Sequence, residues 1–446
     1  MRKGRIWLER AKNVLILLLA CSAVYLTLRS QWLVNAGRGE GGVLGHIQAL
    51  LQGEAEEPDG VVVSSSAARP VRVAVNTGVV RYLYQYDTEA VDAVFEEVGS
   101  LLAEALAMAE EPRPGTEEEW QAALAAPGVY FDFLGEIPLS ALSSWLNQTG
   151  GNSALSHSAR RLALAWVDGQ VELWYWQEKE GAPWHCPLSD ALRGQLEQVL
   201  VNSEGQSSVT GFFAFEREGY DQLLPGQLLT GGQEQAARTV YQASNPLRSE
   251  AVLDELVRTL GFNPHGLYES GDGQVVKDGE DTLRISDDGW VTYTEGSGAG
   301  SPRLPVETAG DRAAPEEALE AARKLVEQTL GEVESAARLY LISCGEQPDG
   351  SVEVLFGYLL EGAEVSLADT GYCARFLVQG RRISRLELCC RSYAATEETS
   401  PLMPERQALA ALSALADQRG ELLLCWPDSG GDTVRAAWGT KLAEAR

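Results

Sequence analysis

The chain has 446 residues, with 36 Lys+Arg against 64 Asp+Glu and a formal charge of −28. Its 45% apolar and 22% charged residues are ordinary for a folded protein of two or three domains and exclude wholesale disorder. The acidity excludes a nucleic-acid binder, which needs a basic face for phosphate, and a body lying on anionic lipid.

The charge is uneven. Residues 1–13 hold Arg2, Lys3, Arg5, Arg10 and Lys12 against Glu9 alone, a net of +4, so the other 433 residues carry −32. No charge then occurs between Lys12 and Arg29. Those 16 positions make a helix of about 24 Å. That is short for a bilayer core of ~30 Å but usable, with Lys12 and Arg29 snorkelling and Trp32 at the far interface. The positive-inside rule places 1–13 in the cytoplasm and the bulk of the chain outside, as a single-pass cell-membrane protein. The expected division is a basic tail over 1–13, a transmembrane signal-anchor over 14–34 and a juxtamembrane linker over 35–70. Two other readings compete. Leu18-Leu19-Ala20-Cys21 resembles a lipobox, which makes Cys21 the acylated residue of an exported, ligand-binding lipoprotein. A cleaved secretory signal is the third reading.

Residues 71–243 read as an α+β domain. Strands are expected over 71–75 and 82–86, then a helix over 88–110 with Val91, Val94, Phe95, Val98, Leu101, Leu102 and Leu106 at helical spacing behind Asp87 or Thr88 as N-cap. A helix over 117–125 and a strand over 129–134 follow, and Pro138 opens a short helix. Strands 162–167 and 171–176 form a hairpin about Asp168-Gly169. A helix spans 187–202 and a strand 212–215. Residues 244–295 read as a middle domain, a helix over 250–260 stopped by Gly261 and Pro264, then an antiparallel meander. Residues 296–312 are a linker by composition. Residues 313–446 form a C-terminal α+β domain with helices over 315–330 and 405–419 and strands over 336–343, 351–360, 372–379 and 383–393. The expected fold is therefore α+β, one N-terminal transmembrane helix followed by three extracytoplasmic lobes, the last two each a helix packed on an antiparallel sheet.

Chemistry-bearing motifs are scarce. There is no P-loop, no Gly-x-Gly-x-x-Gly after a strand, no His-Glu-x-x-His and no Gly-x-Ser-x-Gly. Asp428-Ser429-Gly430-Gly431, with His185-Cys186 elsewhere, mimics a trypsin-like nucleophile, but only 17 residues follow Ser429 and Asp-Ser-Gly-Gly is a good turn. Asp287-Asp288-Gly289 lacks the alternating ligands of a calcium loop and reads as a turn. Trp166, Trp174, Trp176 and Trp184 are either a ligand-stacking platform or hairpin packing. The six cysteines beyond the span, Cys186, Cys344, Cys373, Cys389, Cys390 and Cys425, read mainly as small buried residues, with one or two disulfides as the competing view. No catalytic residue, metal site or cofactor is expected.

Four places carry a resemblance. The first is the short basic tail and single span. The second is Phe131-Asp-Phe-Leu-Gly-Glu-Ile-Pro-Leu-Ser140. The third is Leu260-Gly-Phe-Asn-Pro264 with Tyr268-Glu-Ser-Gly-Asp-Gly273 and Thr282-Leu-Arg-Ile-Ser-Asp-Asp-Gly289. The fourth is Leu355-Phe-Gly-Tyr-Leu-Leu-Glu-Gly362 running into Tyr372-Cys-Ala-Arg-Phe-Leu-Val-Gln-Gly380 and Cys390-Arg-Ser-Tyr393. Together they resemble the YycH/YycI family of Gram-positive bacteria, and the length is similar to its YycH-like, three-domain members. The resemblance implies a non-enzymatic regulator of a cell-envelope two-component system. Its implied partners are a sensor histidine kinase of the WalK (YycG) type and a YycI-like or YycH-like paralogue, reached through transmembrane and extracytoplasmic contacts. In that setting the small residues Ala20, Cys21, Ser22 and Ala23 are candidates for close helix packing in the membrane, the alternative being that they face lipid.

Overall fold

The computed structural model describes residues 66–147, 151–203, 209–230, 237–271, 273–297, 301–368, 370–415 and 419–442. The expected span and the expected linker up to residue 65 lie outside them. Among the described residues no helix is long and apolar enough to cross a membrane.

The first unit is built on a hairpin, β1 (Arg72–Asn76) and β2 (Arg81–Gln85). Helix α1 (Thr88–Met108) starts at Asp87, whose carboxylate accepts from the Ala90 amide at 3.1 Å. After β3 (Arg113–Pro114), α2 (Glu117–Ala125) opens with a reciprocal cap between Thr116 and Glu119. Then come β4 (Gly128–Pro138), α3 (Leu139–Asn147), β5 (Ser158–Val167), β6 (Gln170–Gln177), β7 (Ala182–Pro187) and α4 (Ala191–Asn202). The strands form one antiparallel sheet in the order β2-β1-β4-β5-β6-β7-β3. Asp168 and Gly169 turn β5 into β6 with φ of 49° and 88°, the two-residue hairpin geometry that Asp-Gly favours. The helix expected from 187 begins later, because Pro187 ends strand β7.

This sheet is covered on both faces, so its strands alternate between two apolar layers. Val73, Phe131, Leu162 and Tyr175 pack with Phe95 of α1, Leu142 of α3 and Leu192 of α4. Ala74, Tyr130, Ala163 and Trp174 pack on the opposite face with Trp120 and Leu124 of α2 and with Phe213 and Leu228. The last two belong to a small ladder of β8 (Phe212–Phe213) and β9 (Leu228–Leu229).

The chain continues through β10 (Arg238–Ser244) into α5 (Glu250–Thr259) and the expected meander, β11 (Tyr268–Glu269), β12 (Gly273–Asp278), β13 (Asp281–Ser286) and β14 (Trp290–Thr294). Helix α6 (Pro315–Thr329) precedes β15 (Arg338–Glu346), β16 (Val352–Leu360), β17 (Ala363–Leu367), β18 (Ala374–Gln379), β19 (Arg382–Cys389) and β20 (Ser392–Ser400). Helix α7 (Glu405–Leu415), β21 (Gly420–Asp428), β22 (Thr433–Val434) and β23 (Ala437–Leu442) close the described chain.

Two features depart from the sequence reading. The sheets expected separately for the middle and C-terminal lobes are one sheet of eleven strands, because β14 pairs with β19 from Trp290↔Cys389 to Thr294↔Arg385. Its intervening segment is hydrogen-bonded rather than free: the Val306 amide donates to Arg381 O at 2.8 Å and the Ala313 amide to Gly380 O at 2.7 Å. The strand expected over 383–393 is also divided. It leaves the large sheet at Cys389 and resumes as β20 in a three-stranded sheet ordered β20-β10-β22. The break falls where the Arg391 guanidinium turns inward onto Asp428. One apolar core runs from Ala67 to Val434 through both large sheets.

Candidate functional site

The candidate membrane-packing residues Ala20, Cys21, Ser22 and Ala23 lie outside the described residues. Ser429 is exposed in the turn after β21. Its neighbour Asp428 is buried and accepts from Arg391 Nε and Nη2, both at 3.0 Å, from Tyr393 Oη at 2.8 Å and from the Gly430 amide at 2.8 Å. Asp-Ser-Gly-Gly is thus a turn locked by a carboxylate. His185 belongs to the first sheet, stacked on Trp174 with ring centroids 4.5 Å apart. Asp287-Asp288-Gly289 is the β13–β14 turn, and no group of His, Cys, Asp and Glu among the described residues has the arrangement of a metal site.

The four tryptophans do not form one platform. Trp174 and Trp176 pack on the α2 side of the sheet, whereas Trp166 and Trp184 pack on the α1 side. None of the six described cysteines is in a disulfide, and five are buried. Burial pushes the Cys186 and Cys344 thiols up to about 12 and that of Cys425 to about 11, which leaves them protonated and weakly nucleophilic at neutral pH.

Two polar constellations remain. The first joins the two large sheets. Strand β4 carries an irregularity between Asp132 and Ile137, with Leu134 at φ 67° and its amide donating to Asp132 Oδ1 at 2.8 Å. The next residue must be glycine, since a Cβ on Gly135 falls 1.8 Å from Leu341 O of β15. At the same point Arg160 of β5 grips two carboxylates in bidentate fashion. It donates to Asp132 at 2.8 and 3.0 Å and to Glu421 of β21 at 2.7 and 2.7 Å, while Arg72 of β1 adds a 3.3 Å contact to Asp132. These side chains are at most 5% exposed. Two cations and two anions balance. Burial alone raises both carboxyls, but Arg160 and Arg72 outweigh it at Asp132, and Arg160 and Arg161 at Glu421, so both are held below the usual carboxylate range.

The second constellation is a cleft of about 510 Å³. Its walls are the 3₁₀ turns Pro246–Arg248 and Pro264–Gly266, helix α5, and strands β12 and β13. Each turn is set by an Asn-Pro pair. Asn245 Oδ1 accepts from the Leu247 amide at 2.9 Å, and Asn263 Oδ1 from the His265 amide at 3.1 Å. Leu247, Leu253, Leu267 and Ile285 supply the apolar lining, and Arg248, Glu250, His265, Gln274 and Asp287 are among the polar groups. In the sequence Pro264 reads as a helix stop and as part of the Leu260–Pro264 motif, with no sign of a cleft. The repeated Asn-Pro signal flanking one helix marks the cleft.

No family model matches the sequence, and no curated protein matches it either. The architecture does find a counterpart. The crystal structure of YycH from Bacillus subtilis matches with a TM-score of 0.54 and 11% identity, over 87% of this chain and 98% of that one. The fold is YycH-like. The match takes in nearly all of the YycH chain, so it is a likeness of architecture on the scale of the whole chain rather than of a single recurrent motif.

Proposed function

We propose that this protein is a membrane-anchored, non-enzymatic regulator of a cell-envelope two-component system, working outside the membrane on a sensor histidine kinase of the WalK (YycG) type. The observation that carries the reading is the YycH-like fold over almost the whole of the YycH chain. The basic tail and apolar run at residues 1–28 support the anchor. Such a protein needs no chemistry. It biases a kinase between signalling states by binding one state better than the other. Its two contact zones are the membrane helix, with Ala20, Cys21, Ser22 and Ala23 as the close-packing face, and the extracytoplasmic body. A YycI-like or YycH-like paralogue is the natural co-partner.

Affinity capture of the tagged full-length protein from detergent-solubilised membranes should recover a histidine kinase, and deletion should change that kinase's output. Recovery of no kinase together with unchanged output overturns the reading. The Leu-Leu-Ala-Cys21 sequence favours one other form of anchor, an envelope lipoprotein. Mass spectrometry of the mature N-terminus separates the two: an uncleaved chain with unmodified Cys21 supports the signal-anchor, and a diacylated Cys21 at the N-terminus replaces it.

A further inference from the structure

The cleft beside α5 has the chemistry of a binding site, and the kind of ligand can be read from its walls. Its volume of about 510 Å³ is in the range of sites that enclose a small ligand or a few side chains. Leu253 and Leu267 are only half-buried there, so a ligand that covers them gains apolar burial. Around this floor stand charges of both signs. Arg248, Glu250 and Asp287 are exposed and have no ion-pair partner among the described residues. The side-chain amide of Gln274 makes no hydrogen bond among them. Of the arginines nearby, Arg258 is paired to Asp254 at 2.9 Å and Arg303 to Asp278 at 2.7 Å and Asp281 at 3.0 Å, while Arg284 is exposed with no ion partner among the described residues.

Few ligand classes suit such a wall. A polyanion meets Arg248 but is repelled by Glu250 and Asp287. An acyl chain covers the apolar floor but offers nothing to the charges or to the Gln274 amide around it. A polypeptide segment supplies an apolar side chain, side chains of either charge, and backbone amides for Gln274. The sheet margin offers backbone groups as well. β11 is the terminal strand of the eleven-stranded sheet. The Ser270 amide donates to Gly273 O at 2.9 Å, so residues 268 and 270 turn their backbone groups toward β12. The alternation of an antiparallel ladder then aims the N–H and C=O of Glu269, two residues after the cleft residue Leu267, away from the sheet.

We propose that this cleft binds a linear segment of another polypeptide, in which an apolar side chain is flanked by residues of opposite charge. The apolar side chain enters between Leu253, Leu267 and Ile285. The acidic neighbour meets Arg248, and the basic one meets Glu250 and Asp287. The cleft would serve this role whether or not the protein's partner is a kinase.

The test is a random dodecapeptide phage library panned on the full-length protein in nanodiscs, with empty nanodiscs for counter-selection. Enriched peptides should share an apolar residue between opposite charges. A synthetic representative, followed by fluorescence anisotropy, should lose about tenfold or more in affinity to Leu253→Arg and to Arg248→Glu, the latter leaving the core untouched. No enrichment, or a peptide that binds both variants as it binds the parent, overturns the proposal. Kinase capture measured on the same variants is a separate readout: kinase recovery without peptide binding rejects the cleft and leaves the regulatory reading standing.

Discussion

Arg160 and Arg248 show two ways in which this acidic chain uses a guanidinium. Arg160 is enclosed, and its donors are shared between Asp132 and Glu421 in a group that is neutral overall. Arg248 stands at the lip of a cleft with no ion partner among the described residues. The first has already spent its hydrogen-bonding capacity on the fold. The second keeps it for a ligand. The difference follows from burial, since a charge out of water persists only when paired, and a charge in water needs no partner.

Loss of the enclosed guanidinium is the more damaging change. Arg160→Met leaves Asp132 and Glu421 facing each other without their shared cation, and should cost ~3–5 kcal/mol in urea unfolding. A loss below about 1 kcal/mol would show that water reaches the junction. Acid gives a smaller, graded effect. Asp132 and Glu421 are held below the usual carboxylate range, so they bind fewer protons folded than unfolded. Their contribution is therefore complete above about pH 5.5, where the unfolded carboxylates are ionised, begins to fall through about pH 4, and is lost as the pH falls through the lower folded values. Urea midpoints between pH 3 and 7 should fall most steeply below about pH 4. The slope should flatten in the triple variant Arg160→Met, Asp132→Asn, Glu421→Gln; an equal slope would place the acid sensitivity elsewhere. The smallest effect belongs to the cleft. Arg248→Glu should move stability by less than about 0.5 kcal/mol, because no partner is lost. A larger drop in Tm would mean that Arg248 holds the fold.

Much of the local structure was legible in the residues. Helix α1 was visible from Val91 through Leu106 and from Asp87 at its start, and the β5–β6 hairpin from Asp168-Gly169. The junction was half visible. Phe131-Asp-Phe-Leu-Gly-Glu-Ile-Pro stood out as a motif, yet nothing near it in sequence names Glu421, 261 residues from Arg160. Most of β20, beyond Tyr393, escaped the reading for a related reason. Ser392–Ser400 is mostly exposed and lacks an apolar alternation, and it is a strand because β10 pairs with it. The cleft residues Leu253 and Ile285 read as ordinary core positions of a helix and a strand. Only the path of the chain leaves a gap between them.

The sequence by itself determined the helices, the main hairpins and turns, and the uneven charge, because periodicity, capping and turn chemistry act over a few residues. It also set the expectation of an anchor at residues 14–34. The tertiary structure decided that the meander and the C-terminal strands are one sheet, that Arg160 closes the junction between the two large sheets, and that Arg248 is left open. Those outcomes depend on which distant strands and side chains meet. Strand pairing and ion pairing are set by geometry across hundreds of residues, where no local pattern reaches.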